Sequence, residues 1–404
     1  MTYCKLHEST RSPLAKYMGP LQPDIKSKAL VYQLKQLEEP LYPGGELALQ
    51  DGERPEVEEL QWTTHVEGVD EGFAEQVVAH ILSGKSCHIQ GPPGVGKSHL
   101  LGRVRDALVD AGQRVETLAP THAAARLIQG GTIHNFSTRV ASSRYGFEGI
   151  LLIDEVSMLS LGLVAVLDQL RAGNCRIITF GDWKQLEPVG NSWRGQAVEP
   201  LIFQESALLK RWSDCTMFKL TKCRRSDQTH FNFYTNLHES LEIAKTWTRA
   251  KYKQGSPEGS LHLVISHRKR RALNEKLQDA FAGDCGLSIG EFDLEPAYSC
   301  IPGTPLVGSC TSRGIVNGAF YEVICINPLK LRDTLNGDII ESTVEHLPKL
   351  CVLAHAVVYN RAQGLTIHEK HVVLHCFGSH YFRRAHLYVG LSRVKSGSQI
   401  RLAT

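Results

Sequence analysis

Between Gln90 and His99 the chain reads Gly91-Pro92-Pro93-Gly94-Val95-Gly96-Lys97-Ser98, a full match to G-x-x-x-x-G-K-[ST]. Glycines at these positions let backbone N–H groups wrap a polyphosphate, and a helix opening here would aim its unpaired N–H groups at the same point. In that arrangement Lys97 reaches the β- and γ-phosphates and Ser98 ligates Mg²⁺. Further on, Ile150-Leu-Leu-Ile-Asp154-Glu155 is an apolar run ending in two carboxylates. At a strand's C-terminal edge the first acid can hold Mg²⁺ and the second can orient or deprotonate a water, chemistry that nucleotide hydrolysis needs. A third segment, Gly181-Asp182-Trp-Lys-Gln185-Leu-Glu-Pro188-Val189, follows another apolar run and offers Gln185 as a contact to the γ-phosphate and the lytic water.

These groups need strands and helices to hold them. Cys87-His88-Ile89 reads as a short strand before the glycine loop, and Leu100, Leu101, Val104, Ala107 and Leu108 fall on one helical face after it. Further strands are expected at Val115-Glu-Thr-Leu-Ala, Gly149-Ile-Leu-Leu-Ile, Arg176-Ile-Ile-Thr-Phe, Leu261-His-Leu-Val-Ile, Phe320-Tyr-Glu-Val-Ile-Cys-Ile and His371-Val-Val-Leu-His-Cys. Short β-branched runs alternating with helices predict an α/β fold with two parallel sheets.

Composition sets outer bounds. The chain has 404 residues, enough for two to three domains, with 45 Lys plus Arg against 42 Asp plus Glu. A net charge of +3 excludes a polybasic binder but not a basic groove. The sequence has no apolar run of membrane-spanning length and no signal-peptide core near Met1, so no membrane partner is expected. Eleven cysteines without a C-x-x-C pair fit free thiols in a reducing, intracellular compartment. His368 and His371 lie one residue too close for a metalloprotease helix, so no zinc site is expected. Residues 1 to 37 are mildly basic; from Glu38 to Glu75 twelve carboxylates face a single Arg54, which reads as an acidic linker or as a segment shielding a basic groove.

With the glycine loop, the acidic pair and the Gln185 segment in this order, the chain resembles a superfamily 1 helicase motor of the RecD/Pif group over about residues 74 to 404. Leu118-Ala-Pro-Thr121-His122-Ala-Ala-Ala with Gly131-Thr-Ile-His134-Asn-Phe136 is similar to that group's motif Ia region, and Asp154-Glu155-Val-Ser-Met to its motif II. Leu220-Thr-Lys-Cys-Arg224-Arg225-Ser resembles its L-T-x-x-x-R-Q segment, Arg361-Ala-Gln363-Gly364-Leu-Thr366 its motif V, and Tyr388-Val-Gly-Leu-Ser392-Arg393-Val its motif VI.

The resemblance implies two RecA-like lobes closing on ATP, with residues 71–222 as the first, 223–404 as the second, and residues 1–70 as an N-terminal extension. A small β-barrel-like insertion is expected at about 300–350, where Asn317-Gly318 lies. It also implies a nucleotide cradle of Gly91, Pro92, Gly94, Val95, Gly96, Lys97, Ser98 and His99, with Gln76 on adenine and Gly364 from the second lobe. Ser98 and Asp154 would hold Mg²⁺, and Lys97, Glu155, Gln185, Arg225 on the γ-phosphate and Arg393 as arginine finger would carry the chemistry. Thr121, His122, His134, Phe136, Asn360 and Arg361 would line the path of single-stranded DNA. His267 opens the basic run Ser266 to Arg271, which reads as a phosphate contact, a solvated helix start or an import signal.

The implied activity is an ATP-dependent DNA helicase or translocase, a monomeric motor moving 5′ to 3′ with replication, repair or recombination proteins as partners, in a nuclear, cytoplasmic or viral setting. An RNA helicase of the same superfamily and a nucleotide-gated remodelling or loading factor are the alternatives. Three departures stand out. Motif V usually reads H-K-S-Q-G, and Asn360-Arg361-Ala362-Gln363-Gly364 lacks the hydroxyl. Gln76 sits closer to the glycine loop than the family's adenine contact does, and the stretch from Phe136 to Ile150 is short for the segment carrying the strand-separating wedge.

Overall fold

The structure is a computed structural model describing residues 60–403, apart from 69–70, 142–146, 173–174, 194–195, 199–201, 284 and 293–294. The acidic stretch read above lies mostly outside the described residues.

The first half forms a seven-stranded parallel sheet in the order β1-β9-β2-β6-β5-β3-β4. Its strands are β1 (Thr64–Gly68), β2 (His88–Gln90), β3 (Val115–Ala119), β4 (Gly131–Thr132), β5 (Gly149–Ile153), β6 (Cys175–Gly181) and β9 (Thr216–Leu220); β7 (Ser192–Trp193) and β8 (Gln196–Ala197) make a separate antiparallel pair. The inner strand β5 is apolar throughout because helices cover both faces of the sheet: its Leu151, Leu152 and Ile153 are all 0% exposed. The helices are α1 (Glu71–Leu82), α2 (Lys97–Asp110), α3 (His122–Leu127), α4 (Ile133–Ala141), α5 (Leu161–Ala172) and α6 (Ala207–Trp212). Leu100, Leu101, Val104 and Leu108 form the buried stripe of α2. β1 falls before the boundary at 71 read from the sequence; the sheet begins at Thr64, and the ring of Trp62 stacks on His88 at 6.2 Å.

The second half opens with α7 (Gln228–Thr235) and α8 (Leu241–Lys251) and builds a four-stranded parallel sheet, β18-β10-β19-β20, from β10 (Leu261–Val264), β18 (Ala356–Val358), β19 (Val372–Leu374) and β20 (Ile400–Leu402). Between β10 and β18 come α9 (His267–Ala282), the antiparallel pair β11 (Leu287–Ile289) and β12 (Tyr298–Cys300), and an antiparallel sheet ordered β16-β15-β14-β13-β17. That sheet comprises β13 (Pro305–Gly308), β14 (Phe320–Ile326), β15 (Leu329–Asp333), β16 (Ile339–Glu341) and β17 (Cys351–Leu353), with α10 (Leu347–Leu350) before the last strand. It has its own core around Leu306, Tyr321, Val323 and Leu331. α11 (Tyr359–Ala362) and α12 (Arg384–Leu391) complete the half. The fold is therefore α/β with two parallel sheets and a β-rich insertion in the second.

One apolar cluster runs through both halves, from Val77, Ile89 and Leu101 through Tyr234 to Leu263, Leu374 and Val389. Polar contacts cross the same boundary: Tyr234 donates to Pro93 O at 2.9 Å, Tyr388 to Asp182 Oδ2 at 2.8 Å, and Arg126 of α3 to Asp333 of β15 at 2.6 Å. Among the described residues no helix is long and apolar enough to cross a membrane.

Candidate functional site

The glycine loop leaves β2 and turns into α2 through two residues in the left-handed region, Gly94 (φ 86°) and Gly96 (φ 96°). Side chains are excluded there twice over. The conformation disfavours a Cβ, and one built on Gly94 would come within 2.8 Å of Arg225 Cβ. The result is a bare backbone cradle at the N-terminus of α2. Lys97 is 8% exposed, and its ammonium donates to Gly91 O at 2.6 Å and Pro92 O at 3.1 Å, so the loop's own carbonyls hold it in place. Ser98 Oγ donates to Asp154 Oδ2 at 2.9 Å, joining the start of α2 to the end of β5.

The acidic pair is held under constraint. Asp154 accepts the Glu155 backbone N–H at 2.9 Å, and Glu155 itself is left-handed (φ 51°), a conformation that costs a non-glycine residue about 1–2 kcal/mol. Burial pushes the Asp154 carboxyl up. Burial, and next the charge of Asp154, push Glu155 up to about 7. Glu155 Oε2 and Gln185 Oε1 are buried without partners. Gln185 Nε2 reaches Asp182 Oδ2 at 3.5 Å, and that carboxylate is fixed from the second half by Tyr388.

Arginines close the other side. Arg225 donates to Ser392 O at 3.0 Å. Arg393 is 1% exposed, donating through Nη2 to Ser392 Oγ at 2.6 Å and through Nε to Val389 O at 3.0 Å. Its Nη1 lies 3.5 Å from Ala362 O and 3.4 Å from Leu365 O. Burial first, and then the charge of Arg225, bring the Arg393 guanidinium down to about 10.

Most of these groups face one cavity of about 390 Å³ between the two halves. Of the residues expected in the cradle, Gly94, Gly96, Lys97, Ser98, His99 and Gly364 line it, as do Asp154, Glu155, Gln185, Arg225 and Arg393. Gly91 and Pro92 contribute carbonyls to Lys97 instead, and the Val95 side chain is core at 2% exposure. Gln76 is exposed on α1 and is not brought to the cavity, because the apolar face of that helix, Phe73, Val77 and Ile81, takes the inward side. The cavity's chemistry fits a nucleoside triphosphate with its cation: a backbone cradle, an ammonium, two arginines, and a hydroxyl–carboxylate pair for a hard metal.

The expected strand contacts are dispersed. Thr121 N-caps α3, accepting from Ala124 N at 3.2 Å, and His122 begins that helix; both are half-buried. His134 and His267 are exposed at the first turns of α4 and α9. Asn360 is half-buried on α11, and Arg361 beside it donates to Gly308 O at 2.9 Å. Phe136 must be corrected. It is 2% exposed, edge-on to Phe147 at 5.1 Å, in the core beneath α4, so no base can stack on it. Sequence reasoning missed Asp182, which it held only as part of a segment, and the Arg126–Asp333 pair tying α3 to the β-rich insertion.

Comparison with known proteins supports the fold. A family model described as an AAA domain matches residues 74–230. The chain is 26% identical over 222 residues to ATP-dependent DNA helicase PIF1 of Candida albicans, covering 46% of this chain and 24% of that protein. It is 28% identical over 255 residues to ATP-dependent DNA helicase PIF6 of Trypanosoma brucei brucei, covering 54% and 29%. The matched region thus spans about a quarter of the length of these curated relatives. Among solved structures, the Pif1 helicase of Candida albicans superposes with a TM-score of 0.63 at 20% identity, covering 83% of this chain and 94% of that one. Bacteroides Pif1 bound to ssDNA gives 0.60 at 19% identity, covering 83% and 92%. In its ordered motifs the chain is similar to the RecD/Pif-like group of superfamily 1, and its two-lobed α/β fold is that of the Pif1 helicase structures.

Proposed function

We propose that this chain is an ATP-dependent motor on single-stranded DNA that couples hydrolysis to duplex unwinding. The observation that carries the reading is the cavity between the halves, where a glycine cradle, an acidic pair and two arginines from the other half meet with unpartnered Glu155 and Gln185 oxygens.

Gly94 and Gly96 leave room for the polyphosphate, and the N-terminus of α2 with Lys97 neutralises its charge. Ser98 and Asp154 would hold Mg²⁺, which supplies charge neutralisation across the phosphates when bound. Glu155 accepts a proton from the attacking water, its raised affinity suiting a base that works near neutral pH. Gln185 orients that water while Asp182 and Tyr388 keep its amide in place. Arg225 and Arg393 bring positive charge from the second half to the transferring group. Because they arrive across a boundary, nucleotide state and lobe closure become one equilibrium, and repeated closure can advance a strand lying over both lobes. Thr121, His122, His134, Asn360, Arg361 and His267 are the proposed strand contacts. Movement 5′ to 3′ and a role in replication, repair or recombination belong to this reading through the resemblance of the ordered motifs.

One observation favours a second reading, an ATP-gated remodelling factor with little unwinding. α4 ends at Ala141 and β5 begins at Gly149, leaving only residues 142–148 where a strand-separating element would be inserted. Steady-state ATPase without nucleic acid, with single-stranded DNA and with matched RNA tests the main reading. DNA should stimulate strongly, and Lys97→Ala should abolish turnover. Equal stimulation by RNA would move the assignment to RNA, and indifference to both would refute the motor. Duplex unwinding measured beside streptavidin displacement from a single strand separates helicase from remodeller.

A further inference from the structure

A second cavity, of about 210 Å³, opens at the first turn of α9, lined by His267, Arg270, Arg271, Phe292, Glu295 and Arg361 among others. Arg270 is 6% exposed; its Nη2 donates to Glu295 Oε1, while its Nε and Nη1 are buried with no partner. Arg271 Nε lies 3.4 Å from the same carboxylate oxygen and makes no hydrogen bond. Arg361 is held by the neutral Gly308 O at 2.9 Å and Asn317 Oδ1 at 3.4 Å. Two guanidinium groups, those of Arg270 and Arg271, therefore share one carboxylate, and a third, that of Arg361, lines the same cavity without reaching it. Burial, followed by the charges of Arg270 and Arg361, lowers the proton affinity of His267.

A buried guanidinium with two idle nitrogens is costly, and an anion with several acceptor oxygens in fork geometry would satisfy it. Phosphate matches this fork, whereas a single carboxylate leaves donors over. The occupant's other end is indicated by Phe292, which is 40% exposed on the same cavity and offers a face for a base. Phe292 and Glu295 exchange backbone hydrogen bonds at 3.2 and 3.0 Å, so the two residues are paired across one antiparallel bridge.

We infer that this cavity takes one backbone phosphate of the bound single strand, and that Glu295 is a resident carboxylate standing in for that phosphate until the strand displaces it. The inference rests on the reading that the chain holds single-stranded DNA. It makes Arg270 and Arg271 phosphate contacts and Glu295 a brake on strand binding.

The test is anisotropy of a labelled single-stranded oligonucleotide with the full chain across a salt series. Glu295→Gln removes the competing charge and should tighten binding by about threefold or more. Arg270→Gln should weaken it roughly tenfold and reduce the slope of log K against log[salt] by about 0.7, the loss of one phosphate contact. Arg271→Gln, at a more exposed side chain, repeats the test and should shift affinity the same way if Arg270→Gln fails to fold. Opposite signs for the carboxylate and arginine variants support the proposal. A merely structural ion pair would make both variants weaker, and that result, or unchanged affinity in both, overturns it while leaving DNA binding intact. Absence of binding by the unmodified chain would refute the DNA reading itself, and this inference with it.

Discussion

Replacing Arg393 tests the cavity's logic most directly, because the side chain has two separable roles. As a cation supplied from the facing lobe it should contribute about 10³- to 10⁵-fold in rate, or roughly 4–7 kcal/mol of barrier. As a buried donor it satisfies Val389 O and Ser392 Oγ and lies against Ala362 O and Leu365 O. Removing it leaves those acceptors short by about 1 kcal/mol each, offset in part because a buried cation is no longer desolvated, so stability should fall by about 1–3 kcal/mol. Arg393→Ala should therefore stay folded, bind ATP with nearly unchanged affinity and turn over about 10³-fold more slowly or worse. Arg393→Lys should lie close to Arg393→Ala, since one ammonium cannot span the Ser392 hydroxyl and the flanking carbonyls. The assay is steady-state ATPase at saturating single-stranded DNA, with nucleotide affinity from a fluorescent analogue and urea unfolding to show that the fold persists. A folded Arg393→Ala variant with kcat within about threefold of wild type would refute the assignment.

Glu155→Gln should bind nucleotide and DNA normally and lose about 10²- to 10⁴-fold in kcat, and loss of nucleotide affinity instead would show that the carboxylate serves binding. Phe136→Ala should cost about 3–5 kcal/mol in urea unfolding because it empties a core site beside Phe147. Unchanged stability with weakened DNA binding would restore the strand-contact expectation. His262 and His375 share a hydrogen bond of 2.8 Å, and burial brings both down to about 4. The unfolded chain therefore takes up their protons first as pH falls below about 6.5, and stability is lost progressively from there towards pH ~4. Thermal unfolding should show a lower Tm at pH 5 than at pH 7.5, and the drop should shrink in His375→Gln; an equal drop would assign it to other groups.

The parts of the proposed phosphate site were legible because they are local. Gly91 to Ser98 and the Asp154-Glu155 pair each combine a residue pattern with the strand or helix that presents it, so spacing alone specifies geometry. Contacts made across the fold leave no such trace. Tyr388 and Asp182 are 206 positions apart and Arg126 and Asp333 are 207 apart, and neither pair has a periodicity that would predict its partner. Phe136 shows the opposite failure, where a motif position suggested the strand path but burial depends on how α4 sits over β3 and β4. β1 escaped notice because it is an edge strand whose residues are exposed or half-exposed, without the apolar alternation that marks a strand in sequence. Gln76 has the residue type for adenine, but the register of α1 turns it outward.

The left-handed backbone of Glu155 has a consequence for how this sequence would evolve. The fold would gain from glycine or asparagine there, which tolerate φ near 51° and would not bury a carboxylate whose proton affinity is raised to about 7. A library sorted only for folding should accumulate such replacements, whereas one sorted for turnover should reject every one of them. Position 155 is thus where selection for a durable protein and selection for a working one diverge, and a lineage that had abandoned its activity would be expected to show it there early.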